Sequence, residues 1–317
     1  MKKLAISLVT YNGEQYLEAC LLSIARQTFQ DFQLVVFDNA SYDDTLQLVK
    51  KYAPDATVIQ SEKNGGFAAG HNAGIRAMES EYVCVLNQDI VLEPNYFQEC
   101  ISVMDRHSDG GSVTGLLIRV PSLTEMGPCD TIDSYGLSFS PFFSVKNYKQ
   151  GTPVATAIKE EEVTGVPATA AIYRKKALED IRDDDGWYFD EDFFMYKEDI
   201  DLALRLRLRG WKSWSLPETQ GYHIRTTRPA LFDRASEQIN RWSYRNHFFI
   251  LIKDVPARYW LRNGLFISVY EIAKFFYLLC CERSTLIALR DVWKMRKKMF
   301  LKRERIMQRI KCTRVCI

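Results

Sequence analysis

The sequence predicts an α/β fold with a mostly parallel sheet covered by helices, and three observations carry that prediction. Between residues 3 and 86, four apolar runs of strand length alternate with three helical patterns, the rhythm of β-α units rather than of hairpins. Polar residues stand where the strands stop: Thr10, Asp38 and the triplet Asn87-Gln88-Asp89. In parallel sheets ligands bind beyond the carboxyl ends of the strands, so these residues can converge on one crevice. The third observation is "NGGFAAGHNAG" (64–74), a glycine-rich turn that runs into a helical pattern.

Taken in order, residues 3–9 read as a strand. The opening "MKKLAISLVTYNG" mimics a secretory leader, but the apolar run Leu4–Val9 is too short for one. A helix follows over 13–27, then a strand at 33–37, a helix at 43–52, a strand at 56–60, a helix at 68–78 and a strand at 82–86. Patterning weakens between 119 and 160, which predicts loops and irregular strands. Glu198-Asp199 open a further helix whose apolar positions Leu202, Ala203 and Leu206 repeat at helical spacing. A short strand at 212–216 follows, and the remainder is helical.

At 317 residues the chain fits one large domain or a domain with an appendage. Its eight cysteines contain no C-x-x-C pair, so neither a disulfide framework nor a zinc site is expected, and a reducing compartment is. The net charge of +2 conceals a polarity. From Arg283 onward twelve Lys/Arg face two acidic residues, a net of +10, while the rest carries thirty against thirty-eight, a net of −8. Just upstream, 259–281 is rich in aromatic and aliphatic residues but is interrupted by Arg262, Asn263, Glu271 and Lys274. That makes a poor spanning helix and a fair interfacial one. Cations behind it would add roughly 1 kcal/mol each near an anionic leaflet. The competing reading is a helical hairpin packed on the body or on a second copy, as in a homodimer. No nucleic-acid motif accompanies the charge, so a nucleic-acid partner is not expected. The domains expected are 1–250 and a helical, basic 251–317.

The glycine-rich turn lacks G-x-G-x-x-G spacing, and the first β-α turn, "TYNGEQ", has one glycine, which argues against a dinucleotide-binding dehydrogenase. Such a loop still lets backbone N–H groups approach a diphosphate.

Five ordered blocks carry a resemblance: "ISLVTYNGEQYLEACLLSIARQT", "VVFDNASYDDT", "NGGFAAGHNAGI", "VLNQD" and "FDEDFFMYKEDIDLALRLRLRGW". Together, over about residues 3–250, they resemble family-2 glycosyltransferases of the GT-A fold, closest in flavour to bacterial rhamnosyltransferases and galactofuranosyltransferases of surface-polysaccharide assembly. The resemblance implies a metal-dependent, inverting transfer of a sugar from a nucleoside diphosphate donor. The family's D-x-D is replaced here by Asn87-Gln88-Asp89. Asp89 matches its last acidic residue, which implies a ligand for Mg²⁺ or Mn²⁺, with Asn87 placed to hydrogen-bond the donor. His223, in "GYHIRTT", resembles the histidine that completes the metal site in galactofuranosyl-type relatives.

Family position assigns the nucleotide pocket to Thr10, Tyr11, Asn12, Asp38 and Asn39, and the diphosphate-ribose wall to Asn64, Gly65, Gly66, Phe67 and Asn72. His71 lies among them as a lone, structural histidine. Of the Glu198-Asp199 pair, Asp199 is the expected general base and Glu198 binds the acceptor or orients the base; without the family, acidic residues in a first turn serve the helix dipole equally well. Asp201 reads as a salt-bridging residue. Gly165 matches a small residue on the acceptor side, and Arg225 and Arg228 could neutralise a phosphate of the acceptor.

Two functions of different class follow. One is a hexosyltransferase on the cytoplasmic face of a membrane, moving L-rhamnose from dTDP-rhamnose, or a sugar from a UDP-sugar, to a lipid-linked glycan. The other is a non-catalytic subunit that binds nucleotide sugar, with Asn-Gln-Asp as a mark of decay.

Overall fold

The computed structural model describes residues 1–121, 130–157, 159–224 and 234–311. The chain opens with β1 (Lys2–Thr10), α1 (Leu17–Ala25), β2 (Phe32–Asp38), α2 (Thr45–Tyr52), β3 (Thr57–Gln60), α3 (Gly66–Arg76) and β4 (Ser80–Asn87). Each of the seven elements expected between residues 3 and 86 is present. Next come β5 (Ile90–Leu92), α4 (Tyr96–Arg106) and the long β6 (Gly110–Val120). The weakly patterned region holds three short strands, β7 (Ile132–Ser134), β8 (Leu137–Phe139) and β9 (Val145–Asn147). Then follow β10 (Glu161–Val163), β11 (Ala170–Arg174), α5 (Lys175–Ile181), α6 (Glu198–Leu208) and β12 (Lys212–Ile224). Three helices close the described chain: α7 (Arg234–Lys253), α8 (Ala257–Cys281) and α9 (Ile287–Gln308).

The main sheet runs β10-β12-β6-β11-β4-β1-β2-β3. β4, β1, β2 and β3 are parallel neighbours, and β12 lies parallel to β6; β11, wedged between β4 and β6, is antiparallel to both. The parallel strands carry nearly continuous apolar runs because helices cover both faces. Leu4, Ile6, Leu8, Cys84 and Leu86 point into a core shared with α1 and α4, and Val83, Val85 and Ala171 point into one shared with α3, α5 and α6.

β12 is longer than the strand expected at 212–216. A register shift between Leu216 and Gln220 absorbs an irregularity around Pro217, after which pairing with β6 resumes through Ile224, because a proline cannot donate to the ladder but can sit at a bulge. His223 therefore lies inside a strand and not after one. The last helices are joined to the body by a core in which Ile200 and Leu204 of α6 meet Phe249, Val255, Ile267 and Met299, and residue 250 falls within α7.

Candidate active site

The parallel strands end together, and the residues at those ends are held by one another. Thr10 pairs with Asp38, and Val9 with Asn87, in the sheet register. Asp38 is buried; its Oδ1 accepts from Thr10 Oγ1 at 3.2 Å and Ser41 Oγ at 2.5 Å, and its Oδ2 from the Ser41 N–H at 3.1 Å. Three of roughly four carboxylate lone-pair positions are thus engaged within the chain. Asn12, at φ 46°, accepts from the Tyr42 N–H at 3.1 Å, and Tyr11 beside it is exposed. Asn39 cradles the glycine-rich turn, accepting from the Gly65 N–H at 3.0 Å and donating to the Gly66 carbonyl at 3.2 Å. Asn64 accepts from the Gly66 N–H at 2.9 Å. Gly66 has φ +85°, and a Cβ there would lie 2.4 Å from the Phe194 carbonyl oxygen, so the loop passes against the segment before Glu198.

One expected member of that wall does other work. Asn72 is fully buried and uses its amide inside the protein: Nδ2 donates to the Phe189 carbonyl (2.8 Å) and to Glu191 (2.9 Å), and Oδ1 accepts from the Tyr188 (3.0 Å) and Phe189 (2.9 Å) N–H groups. With both donors and two acceptor positions satisfied it locks α3 to the 188–191 segment and does not line the crevice. Phe67 is half-buried, its ring centroid 4.3 Å from that of His71 and 5.7 Å from that of Phe189. His71 is structural, as expected: it is buried, its Nδ1 bonds Ser7 Oγ at 2.9 Å, and burial pushes its pKa down to about 3.

Gln88, given no role by sequence reasoning, fastens two strand ends together. Its Oε1 accepts from the Tyr11 N–H at 3.0 Å and its Nε2 donates to the Tyr11 carbonyl at 3.1 Å. A Cβ on Gly13 would come within 2.3 Å of Gln88 Oε1, so that glycine leaves room for the clasp.

Asp89 and His223 do come together, with Nε2 3.4 Å from Oδ2, because β12 pairs with β5 in a register that sets His223 opposite Ile90. Behind the histidine stands Asp133 on β7, which the sequence reading missed. Asp133 Oδ2 is 2.8 Å from His223 Nδ1, and the carboxylate is 2% exposed. Burial lowers the His223 pKa, but the carboxylates of Asp133 and Asp89 outweigh it and raise the value to about 9. Among the described residues no three acidic, histidine or cysteine side chains are grouped to hold a metal by themselves. Asp89 and His223 nevertheless fit a divalent cation that takes its other ligands from phosphate oxygens and water. Asp89 Oδ1 is buried without a hydrogen-bond partner, and an Asp133 carboxylate on Nδ1–H orients Nε2 toward Asp89, where a cation would take the place of the Nε2 proton.

Glu198 and Asp199 start α6, as the sequence pattern predicts. Glu198 is 6% exposed and its Oε2 has no partner; burial first, and the Asp199 charge second, push its carboxyl well above the usual range. Burial also raises Asp199, against N–H groups of Ile200 and Ala168 that stabilise the carboxylate. The two sides of the crevice are physically continuous, since the neighbour of Ala168, Thr169, accepts from the Asn87 N–H at 2.9 Å. Asp201 bonds Arg205 at 2.7 Å and also pairs with Lys253, a salt-bridging role.

Gly165 has a different reason from the one its family position implies. A Cβ there would lie 2.4 Å from Ala203 Cβ, so the packing of α6, not room for a sugar, excludes a side chain. Arg225 and Arg228 lie outside the described residues.

Residues 6–182 match the profile described as "Glycosyl transferase family 2", more than half of the chain. The chain belongs to glycosyl transferase family 2. This family-2 chain is 33% identical over 112 residues to the poly(ribitol-phosphate) beta-N-acetylglucosaminyltransferase TarS of Staphylococcus aureus (strain Mu50 / ATCC 700699), a stretch of 34% of this chain and 20% of TarS. It thus matches about a fifth of that relative's length. Over 244 residues, 69% of this chain and 75% of the relative, it is 25% identical to the N-acetylglucosaminyl-diphospho-decaprenol L-rhamnosyltransferase of Mycobacterium tuberculosis (strain CDC 1551 / Oshkosh). The crystal structure of GalNAc-T7 with UDP, GalNAc and Mn²⁺ superposes with a TM-score of 0.61 over 80% of this chain and 48% of that one, at 10% identity. At that identity the likeness shows the shared GT-A fold alone.

Proposed function

We propose that this family-2 chain is an inverting glycosyltransferase that moves a sugar from a nucleoside diphosphate to a hydroxyl of a lipid-linked cell-surface glycan. The observation that carries this is a pKa-raised carboxylate pair, buried Glu198 and half-buried Asp199, on a segment linked through Ala168-Thr169 to Asn87, two residues before the Asp89 that meets His223. dTDP-L-rhamnose is the donor we favour, supported by the length over which the rhamnosyltransferase relative matches; UDP-sugars are the second choice. The non-catalytic alternative is disfavoured because a binding subunit has no need of two desolvated carboxylates.

In this reading the exposed ring of Tyr11 and the strand-end residues Thr10, Asn12, Asp38 and Asn39 receive the nucleoside, and the turn Asn64-Gly65-Gly66, its glycine N–H groups held by Asn39 and Asn64, forms the wall beside the diphosphate. Asp89 and His223 would hold Mg²⁺ or Mn²⁺, which neutralises charge building on the leaving diphosphate. Asp199 takes the proton of the acceptor hydroxyl while that oxygen bonds to the anomeric carbon and the carbon–oxygen bond to the diphosphate breaks, its electron pair leaving with the phosphate. A raised carboxyl suits the task, because a base works best with its pKa near the working pH. Asp199 is held in place by the Ile200 N–H, 2.8 Å from Oδ1, and by the Ala168 N–H, which fix the carboxylate that receives the proton. Glu198 orients the acceptor.

The acceptor's lipid suggests where the protein works, at the cytoplasmic face of a membrane. α8 is long and apolar enough to span a bilayer by length and composition, yet two of its polar interruptions, Glu271 and Lys274, face the body while Arg262 is exposed. Glu271 bonds His247 at 2.6 Å, and Lys274 lies over the rings of Tyr244 and Tyr270. Outward it shows Leu261, Leu265, Phe266, Val269, Ile272 and Phe276, all more than half exposed. This supports a helix lying in the interface; a homodimer through the same face is the alternative.

Turnover of dTDP-L-rhamnose and of UDP-sugars, with Mn²⁺ and with chelator, tests the proposal. Asp199→Asn should keep donor affinity and lose on the order of 10²–10⁴-fold in turnover, with Glu198→Gln losing less. Normal turnover of Asp199→Asn would show that another group is the base.

A further inference from the structure

The catalytic pair is preceded by an unusual piece of backbone. Phe194, Tyr196 and Lys197 have φ of 65°, 67° and 69°, and none is glycine. Side chains disfavour this left-handed region, so three such residues in four persist only where the surroundings over-determine them. The structure supplies those surroundings from one face of α7.

Trp242, Arg245, Asn246, Phe249 and Lys253 repeat at helical spacing and all reach residues 190–196. The Trp242 ring lies 4.8 Å from that of Phe194, the Phe249 ring 5.8 Å from that of Phe193, and Lys253 bonds Asp190 at 2.7 Å. Between them sits the polar centre of the face. Asn246 is fully buried, and its Nδ2 donates to the carbonyls of Phe193 (3.0 Å), Met195 (3.0 Å) and Tyr196 (2.7 Å). Arg245 Nη2 donates to the carbonyls of Asp192 (3.0 Å) and Phe193 (2.9 Å), and Arg245 Nε donates to Asn246 Oδ1 at 3.0 Å, which holds the amide in the orientation that aims its N–H groups at the loop.

Four carbonyls in five residues are therefore captured by two neighbouring side chains. A left-handed turn directs these carbonyls away from any helix or strand of their own, and buried carbonyls need partners. An apolar residue at 246 would remove a donor from three of them at once, of which Phe193 would keep Arg245 and the Met195 N–H.

We propose that Arg245 and Asn246 are positioning residues that hold the 192–197 backbone in its left-handed path, and so set where Glu198 and Asp199 stand. The inference rests on the catalytic reading of that pair. Its consequence is kinetic: a base displaced by about 1 Å can cost on the order of 100-fold in rate, while the nucleoside end of the pocket, at the ends of β1 and β2, keeps its shape and only the glycine-rich turn, which touches Phe194, is shared with this loop.

The test replaces Asn246 by Leu, close in size and without donors, in the full chain. Three quantities are measured: amide hydrogen exchange by mass spectrometry in peptides spanning 190–200, the dissociation constant of dTDP-L-rhamnose, and kcat. Exchange at 194–199 should accelerate at least tenfold with β1–β4 strand peptides unchanged, and kcat should fall on the order of 100-fold, far more than donor affinity, which this loop touches only through Gly66. A folded Asn246→Leu protein with unaltered exchange at 194–199 overturns the proposal. So does a parallel loss of donor affinity and kcat with exchange raised throughout, the mark of a merely structural residue. Should Asn246→Leu fail to fold, Arg245→Met, which removes two of the five carbonyl bonds, carries the same criteria. Absence of turnover in the wild type would sink the catalytic reading, and the exchange measurement would still decide whether the clamp exists.

Discussion

Replacing Lys302 by methionine should destabilise the whole body of the protein, although the residue belongs to a basic helix near the end of the described chain. Lys302 on α9 is 6% exposed and its ammonium bonds Asp190 at 2.5 Å and Asp192 at 2.7 Å. Asp190 is fully buried and shared with Lys253 at 2.7 Å. Removing one partner of a buried ion pair costs about 3–5 kcal/mol, most of it from the charge left behind. Because Asp190 keeps Lys253, the low end, about 3 kcal/mol, is expected. At about 2.1 cal/mol/K per residue the unfolding entropy is roughly 0.7 kcal/mol/K, so Tm should fall by about 4 °C. The pH dependence follows from the sign of the shift. Burial raises the Asp190 carboxyl, but Lys253 and Lys302 overcome it and hold the group far below its ordinary value. A depressed carboxyl contributes stability that is present above its unfolded pKa, near 4, and is lost as the pH falls toward its folded value. The gap between wild type and Lys302→Met should thus be flat from about pH 5 to 8 and narrow below about 4. Calorimetry or denaturant titration across that range reads both features. Equal Tm values at pH 7, or a gap that widens in acid, would refute the argument that Lys302 closes a buried charge network.

Two further predictions concern the metal and the membrane. Asp89→Ala should abolish Mn²⁺ binding measured by electron paramagnetic resonance, and Asp133→Asn, which leaves both ligands in place, should weaken it by about 10–100-fold, the usual range for a lost orienting partner; unchanged affinity in both would remove the cation from this site. Leu265→Glu with Phe266→Glu should release the protein from anionic vesicles while leaving turnover on a soluble acceptor intact; undiminished vesicle binding together with loss of a dimer in sedimentation would assign the face to a second copy instead.

Much of the fold was legible because the β-α half of the chain is written in local pattern. Apolar runs buried on both faces, such as Leu4–Val9 and Tyr82–Leu86, leave little choice but parallel strands, and polar strand ends then mark the crevice. The misses share one physical cause: they depend on contacts between segments distant in sequence. Asn72 looks like part of a phosphate loop, but its four bonds go to residues 188–191, more than a hundred positions away. Asp133 lies in short, weakly patterned strands, and only the register of β12 brings His223 to it. Gly165 is small because of Ala203, on a helix whose packing no local signal reports. Asn246 had a readable cue, a polar residue on the same helical face as Trp242, Phe249 and Lys253, but a buried asparagine and an exposed one look alike until the loop it serves is in place.

The basic C-terminal stretch illustrates how composition can mislead about location. A net charge of +10 reads as a surface, and several of its cations are exposed, but Lys302 is buried beneath them and Met299 on the same helix is fully buried against the core of α7. Deleting residues 283–317 would therefore expose apolar core and leave Asp190 with one cation, so loss of vesicle binding after truncation would not distinguish a missing membrane contact from a disordered body. The arrangement also gives membrane docking a physical route to catalysis. Outward residues of α8 would meet the bilayer, its inward Glu271 bonds His247 on α7, and the turn of α7 holding His247 also holds Asn246, which donates to the carbonyls just ahead of Glu198. A displacement of α8 on docking would reach Glu198 and Asp199, the carboxylates proposed to be catalytic, through one helix. Exchange at 194–199 should therefore slow when anionic vesicles are added to the wild type, and should not respond when Leu265 and Phe266 are both glutamate. A vesicle effect that survives those substitutions would mean that the loop senses lipid by another path.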